Sequence, residues 1–216
     1  MHNFKFDKLR QSFINKDIFS LENESAELLS FLLLTSYLNE KAYYHPLGFI
    51  YSKLYEFENM ETIRIHIWDK KYYEHKALMD IHNHYYVVNS FLYKGCIINN
   101  VFKIDDENGI RYAIYEGAYN QNEDRILKRS LKEINLSLNY KESHCTRQLY
   151  QIPIDTIHSG HPVDNNPVCT IVYTGKPGNP TPLVLGSVGG ELEYYFPTKI
   201  VDNELITKLL NDLILS

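Results

Sequence analysis

D-I-H-N-H-Y-Y-V-V-N-S-F-L-Y-K-G, residues Asp80 to Gly95, is the run on which the rest of this chain converges. His82 and His84 stand two apart, so on a β-strand both imidazoles face the same side of the sheet. Neutral imidazole suits zinc, iron, copper or nickel, and a strand holds two such ligands rigidly. A stable site takes at least one more ligand from elsewhere in the fold. His158 is the candidate, because it closes a second β-like run, Leu149 to His158. The plain alternative is that His82 and His84 are polar residues on a half-exposed strand. Gly95 permits a tight bend where the run ends.

Upstream, Thr62 to Trp68 alternates, with Ile63, Ile65 and Ile67 on one face and Arg64, His66 and Trp68 on the other. If that second face is an interior, it brings together an arginine, an imidazole and an indole, which an interior holds only where a site needs them. Phe49 to Phe57 alternates more loosely and is read as an earlier strand. Downstream, Ile98 to Ile104 is closed by Asp105 to Gly109, read as a hairpin turn from which Arg111 to Tyr115 returns. Gly117 to Arg129 is polar and loop-like, and Leu131 to Leu138 alternates only in part. Gln148 to Ile154 and Thr156 to His158 form the second strand region, with Pro153 placing it at an edge or bend. His161 to Pro167 reads as a loop, Val168 to Tyr173 as a strand, and Gly175 to Pro182 as an irregular excursion.

Helices are confined to the ends. Lys5 to Asn15 is a short one. Asn23 to Glu40 is a second, with Asn23 as N-cap and Leu28, Leu29, Leu32, Leu33 and Tyr37 at helical spacing. Asn203 to Leu213 is a third. Many short strands between turns, with helices only at the ends, predict a mainly β double-sheet roll or small barrel and disfavour a doubly wound α/β fold.

The chain has 216 residues, 44% of them hydrophobic, with 18 Tyr and 10 Phe, enough for a packed core and too apolar for disorder. It reads as one domain over 1–216, with an N-terminal helical extension at 1–46, a β-roll at 49–188 and a C-terminal helix at 202–215. The net charge is -5 and the charges are interleaved, so no basic block offers a footprint for nucleic acid. The first thirty residues lack the order of a secretory signal, and the apolar run Leu28 to Leu34 is far below spanning length. A cytoplasmic protein without a membrane partner is expected.

Cys96, Cys145 and Cys169 are an odd number at wide spacing, so no disulfide framework or C-x-x-C site is expected. Phosphate-loop, dinucleotide and G-x-S-x-G signatures are absent from the sequence. Other histidines compete less well for a role. His161 lies three residues after His158 but between Gly160 and Pro162, His66 is a candidate polar group in a cavity, and His144 beside Cys145 lacks a third orienting group.

The H-x-H of His82 and His84, the later Gly95 and the distant His158 resemble the two motifs of the cupin superfamily, over about Thr62 to Gly175. The resemblance implies a double-stranded β-helix, or jelly roll, with flanking helices and a metal inside. The glutamate that usually follows the second histidine has no counterpart in Tyr85 to Asn89. The three-histidine set therefore resembles cysteine dioxygenase and related thiol dioxygenases, which implies Fe(II) on His82, His84 and His158, with Zn, Mn or Ni as alternatives. It also implies Arg64 as partner of a substrate carboxylate and Tyr173 as the tyrosine that positions oxygen or substrate. The cysteine that cross-links to tyrosine in some members has no counterpart, because Asn89 occupies that region. The implied activity is oxidation, with O2, of a small polar carboxylate that includes thiols among its candidates. A non-catalytic binding module and a non-redox isomerase or hydrolase are the alternatives, and a homodimer is left open.

Overall fold

Strand β3 (Thr62–Trp68) divides the molecule into two environments. Ile63, Ile65 and Ile67 are almost fully buried against helices, while Arg64, His66 and Trp68 line a cavity on the other side. The alternation of the sequence is therefore a division of labour between a hydrophobic core and a chemical interior. Each isoleucine contributes roughly 1.5–3 kcal/mol by burial.

The computed structural model describes residues 4–73, 77–119, 124–178 and 182–215, and the side chains of 118 and 119 are left aside. Parts of two segments read as loop and as irregular excursion, at 120–123 and 179–181, lie outside the described residues.

Two helices open the chain, α1 (Phe6–Asn15) and α2 (Ile18–Leu34), and α3 (Asn203–Leu215) closes it. Helix α2 begins earlier than its leucine spacing suggests. Its cap is Asp17, whose carboxylate accepts from Ser20 N–H at 3.1 Å, and not Asn23, which lies inside the helix. The helix also stops at Leu34, short of Glu40. Phe6, Leu9 and Phe13 of α1, Leu21, Leu28 and Leu32 of α2, and Ile206, Leu209 and Leu213 of α3 share one core with the isoleucine face of β3.

The strands form two antiparallel sheets. The first, in the order β1-β2-β3-β11-β5-β9, comprises β1 (Tyr43–His45), β2 (Phe49–Glu56), β3, β5 (Val88–Lys94), β9 (Leu149–Ile152) and β11 (Val168–Thr174). The second, in the order β13-β8-β6-β10-β4-β12-β7, contains β4 (Ile81–His82), β6 (Cys96–Ile104), β7 (Ile110–Tyr119), β8 (Arg125–Cys145), β10 (His158–Pro162), β12 (Leu183–Ser187) and β13 (Glu193–Phe196). Both sheets contribute to the cavity wall, with Arg64 and Val172 from the first and His82, Asn99 and Leu127 from the second.

Several expectations are corrected. Asp105 to Gly109 does form a turn, closed by Gly109 N–H to the Asp105 carbonyl at 2.9 Å, but it reverses nothing. Strands β6 and β7 run on in the same direction, each antiparallel to the 21-residue β8, so the turn is an excursion from one long ladder. Leu136 is the shared partner of Ile104 and Ile110. Strands β7 and β8 pair antiparallel up to Tyr119 opposite Arg125, within the segment read as loop, and Leu131 to Leu138 belongs wholly to β8. The run Asp80 to Tyr93 is broken after His82, and Leu149 to His158 is broken after Ile152. Pro153 does mark an edge, since β9 ends the first sheet's order.

A disulfide joins Cys96 to Cys145, contrary to the expectation from their spacing. The two are direct partners in the β6–β8 ladder, a juxtaposition that a sequence separation of 49 conceals. Such bonds persist in oxidising compartments. No described helix is long and apolar enough to cross a membrane.

Cys169 is the free cysteine and is fully buried, with burial pushing its thiol up to about 12. Thiol titration in denaturant without reductant is therefore expected to find one group per chain, and three after reduction. Replacing Cys145 with serine is expected to lower the unfolding free energy by roughly 2–4 kcal/mol in a denaturant titration, from the loop freed in the unfolded chain.

Candidate metal centre

The centre is built on the β10–β4 ladder. His158 and His82 are direct cross-strand partners, which places their side chains close together on one face. His84 comes from the loop that follows β4, not from the strand itself. That loop is held at both ends. Asn83 exchanges bonds with Leu183 of β12, and the Val87 carbonyl accepts from Gly175 N–H at 2.8 Å. His84 also accepts, through its carbonyl, from Asp155 N–H at 3.2 Å, and its ring stacks on Tyr86 with centroids 5.4 Å apart.

One ring nitrogen from each of His82, His84 and His158 is offered to a common point, and these atoms all lie within 4.8 Å of one another. His84 Nε2 and His158 Nε2 are 3.1 Å apart. Two ligands of one ion at about 2.1 Å stand about 3.0–3.4 Å apart, so this pair already has the spacing of neighbouring ligands. The tautomers agree. His82 Nδ1 donates to the Asp80 carbonyl at 2.8 Å, and His158 Nδ1 donates to Asn99 Oδ1 at 2.8 Å. Each bond puts the ring proton on Nδ1 and leaves the Nε2 lone pair for an ion. The residues fit a divalent metal held on one side by three imidazoles.

The three histidines open into a cavity of about 300 Å³, at the small end of the range for ligand sites. Burial drives all three ring pKa values down, His84 and His158 well below the ordinary histidine value; for His82 the bond to Asp80 offsets part of the effect. Neutral imidazole is the form that binds metal. His66 lines the same cavity. Burial first, and then the Arg64 charge, lower it to about 3. Among the described residues no aspartate or glutamate lines the cavity, whereas Arg64 and Arg125 do.

Arg64 is where the sequence puts it, facing the interior. It donates to Tyr86 Oη at 2.8 Å and to Thr62 Oγ1 at 2.9 Å, and its guanidinium lies 5.0 Å from the Tyr86 ring centroid. Tyr173 lies on the opposite face of β11. Its cross-strand partner is Ile63, and its ring packs 5.7 Å from Phe13 of α1, beside the Arg10–Glu61 ion pair. The structure thus brings Arg64 and the three histidines together and sets Tyr173 behind the cavity wall. His161, on β10 and not in a loop, is bonded to Asn100 at 2.9 Å and stays out of the trio. His144 stacks on Tyr150 with centroids 4.4 Å apart, and Cys145 beside it is in the disulfide.

Sequence reading misses three residues. Asn99 carries a signal, since Ile97, Asn99 and Val101 are the buried positions of β6 and a polar residue among them needs a partner. His45 hides beside Pro46 and Gly48, which read as punctuation, and Arg125 hides in the segment read as loop.

No protein-family model matches the chain, and no curated protein matches it. Its function therefore has to be read from this geometry.

Asn99→Ala removes the acceptor that fixes the His158 ring, and metal affinity is expected to fall about 10–100-fold in a competition titration with a chromogenic chelator, with the far-ultraviolet spectrum unchanged. The depressed histidines also set an acid limit. The unfolded chain protonates them near 6.5 while the folded chain does not, so it binds more protons, and stability falls as pH drops from 6.5 towards 3. The expected slope is at most about 1.4 kcal/mol per pH unit for each such histidine, read from urea midpoints of the metal-free protein.

Proposed function

We propose that this chain is a cupin-like, metal-dependent oxygenase in which His82, His84 and His158 hold Fe(II), and that it acts with O2 on a small polar carboxylate, thiols included. The observation that carries the proposal is the convergence of three neutral imidazoles, two of them with fixed tautomers, on a cavity free of described carboxylates. Bound iron supplies the one-electron and O2 chemistry that side chains lack. The two sheets and the cavity between them support the cupin-like reading of the fold.

The side chains supply the rest. Three neutral ligands leave the charge of a divalent ion uncompensated, which favours an anionic substrate such as a carboxylate or thiolate. Arg64, held by Tyr86 and Thr62, offers its remaining donors to a carboxylate in a fixed geometry. The aromatic side chains of Phe49, Trp68 and Tyr150 line the same cavity, and a low-polarity wall strengthens such a pairing. Tyr173 then acts through the wall that it helps to build, not by touching substrate. A cysteine–tyrosine cross-link has no place in this reading, since Cys96 is bonded to Cys145.

A second reading rests on the donor set itself, because an all-imidazole site suits zinc as well as iron. It makes the protein a non-redox enzyme or a binding module on the same scaffold.

Anaerobically purified protein is expected to carry one iron per chain, and His82→Ala and His158→Ala to lose it. Oxygen uptake should depend on added substrate in a panel of small thiols and carboxylates. Arg64→Gln should raise KM about tenfold or more, with a smaller effect on kcat. Full metal retention in both histidine variants would sink the site, and zinc with no oxygen uptake would select the second reading.

A further inference from the structure

His66 stands two residues from Arg64 on the same side of β3, and both line the cavity. Its ring is held by aromatic packing. Phe49 lies 4.7 Å away between centroids, Trp68 5.9 Å and Tyr51 6.5 Å. Among the described residues neither ring nitrogen has a hydrogen-bond partner, and neither is sealed by the packing around it.

A polar neighbour is nevertheless at hand. Thr62 and Thr174 are cross-strand partners between β3 and β11, and their hydroxyls bond to each other at 2.6 Å. His66 and Thr170 are partners in the same ladder, yet the Thr170 hydroxyl is left sealed and without a hydrogen bond. A histidine with a purely structural role would satisfy that hydroxyl. This ring keeps both nitrogens for the cavity instead.

The group that would use them is narrowed by charge. Burial, and then the Arg64 guanidinium, hold the imidazole neutral, so one nitrogen donates and the other accepts. A hydroxyl has both capacities and matches either nitrogen. An ammonium only donates, and it would bring a positive charge to a cavity lined by Arg64 and Arg125, where no described carboxylate offsets it. Residues two apart on a strand stand about 6.6 Å from each other, so one short molecule can reach both Arg64 and His66.

We propose that His66 determines specificity, and that the substrate is a small hydroxy acid, its carboxylate at Arg64 and its hydroxyl at His66, in preference to an amino acid. The proposal rests on the preceding section's assignment of Arg64 as a carboxylate partner, and not on the identity of the metal.

The test is calorimetric titration of the full chain, both metal-free and iron-loaded, with the 2-, 3- and 4-hydroxybutyrates against butyrate and the corresponding aminobutyrates. The best hydroxybutyrate is expected to bind about tenfold tighter than butyrate, and no aminobutyrate tighter than butyrate. His66→Phe, which keeps an aromatic ring among Phe49, Tyr51 and Trp68, should abolish the preference. His66→Gln, whose amide both donates and accepts, should retain part of it. Equal affinities for hydroxybutyrates and butyrate in the wild type, which is the result if His66 holds only water, would overturn the proposal. So would an aminobutyrate that binds tightest, or a preference that survives His66→Phe, as it does if the hydroxyl sits on the iron. A preference that holds in metal-free protein that takes up no iron supports this inference and sinks only the oxygenase reading. Equal affinities with iron bound and oxygen uptake intact do the reverse.

Discussion

The pairing of His158 with His82 across the β10–β4 ladder is the constraint on which the rest of the structure depends. Strand β4 is only two residues long and gains its position from neighbours on both sides, β10 and β12. Strand β10 in turn lies along β6, whose Asn99 reaches back to the His158 ring. One short stretch of sheet therefore sets two histidines of the cluster, the tautomer of one of them and the take-off point of the loop that brings the third. A slip of one residue in that register would turn His158 to the other side of the sheet. The disulfide between Cys96 and Cys145 secures the start of β6, three residues before Asn99, and so anchors the strand from which the tautomer is controlled.

Much of this was legible in the sequence, and the failures share a cause. The alternation of Thr62 to Trp68 gave the right faces, because an isolated period-two pattern reports burial directly. His82, His84 and His158 do come together, for a partly different reason. The H-x-H argument assumes a continuous strand, whereas the chain leaves the sheet after His82 and returns His84 by a loop clamped at Asn83 and Val87. Spacing alone cannot distinguish these two routes to one place. The turn at Asp105 to Gly109 has hairpin composition, yet the ladder of β8 on either side carries the chain straight on. Local chemistry sets a turn, and tertiary pairing decides whether the turn reverses the chain. Tyr173 follows the same logic, since its register against Ile63 fixes its face, and register was not available from one strand read alone.

The cavity shows how electrostatics and stability are reconciled. Two arginines and five histidines around one small interior would repel one another if all were charged, and no described carboxylate is there to compensate. Burial resolves the conflict by keeping the histidines neutral, so that the positive charge is confined to the guanidiniums. Those charges are in part delocalised and weakly hydrated, and Arg64 rests against the face of Tyr86, which lowers the cost of its position.

That cost has to be met on the other side of the same strands. The interior side of β3 carries Arg64 and His66, and its outer side carries three isoleucines sealed by α1, α2 and α3. Strand β11 repeats the plan, with Val172 and Thr174 inward and Ile171 and Tyr173 outward. The helices at the two ends of the chain therefore have a function in the site that they never touch. By covering the outer face of the first sheet they provide the apolar burial that offsets a polar interior, and they hold rigid the strand from which Arg64 projects. A polar site between the two sheets is stable here because a large apolar core lies on the outer face of the first sheet.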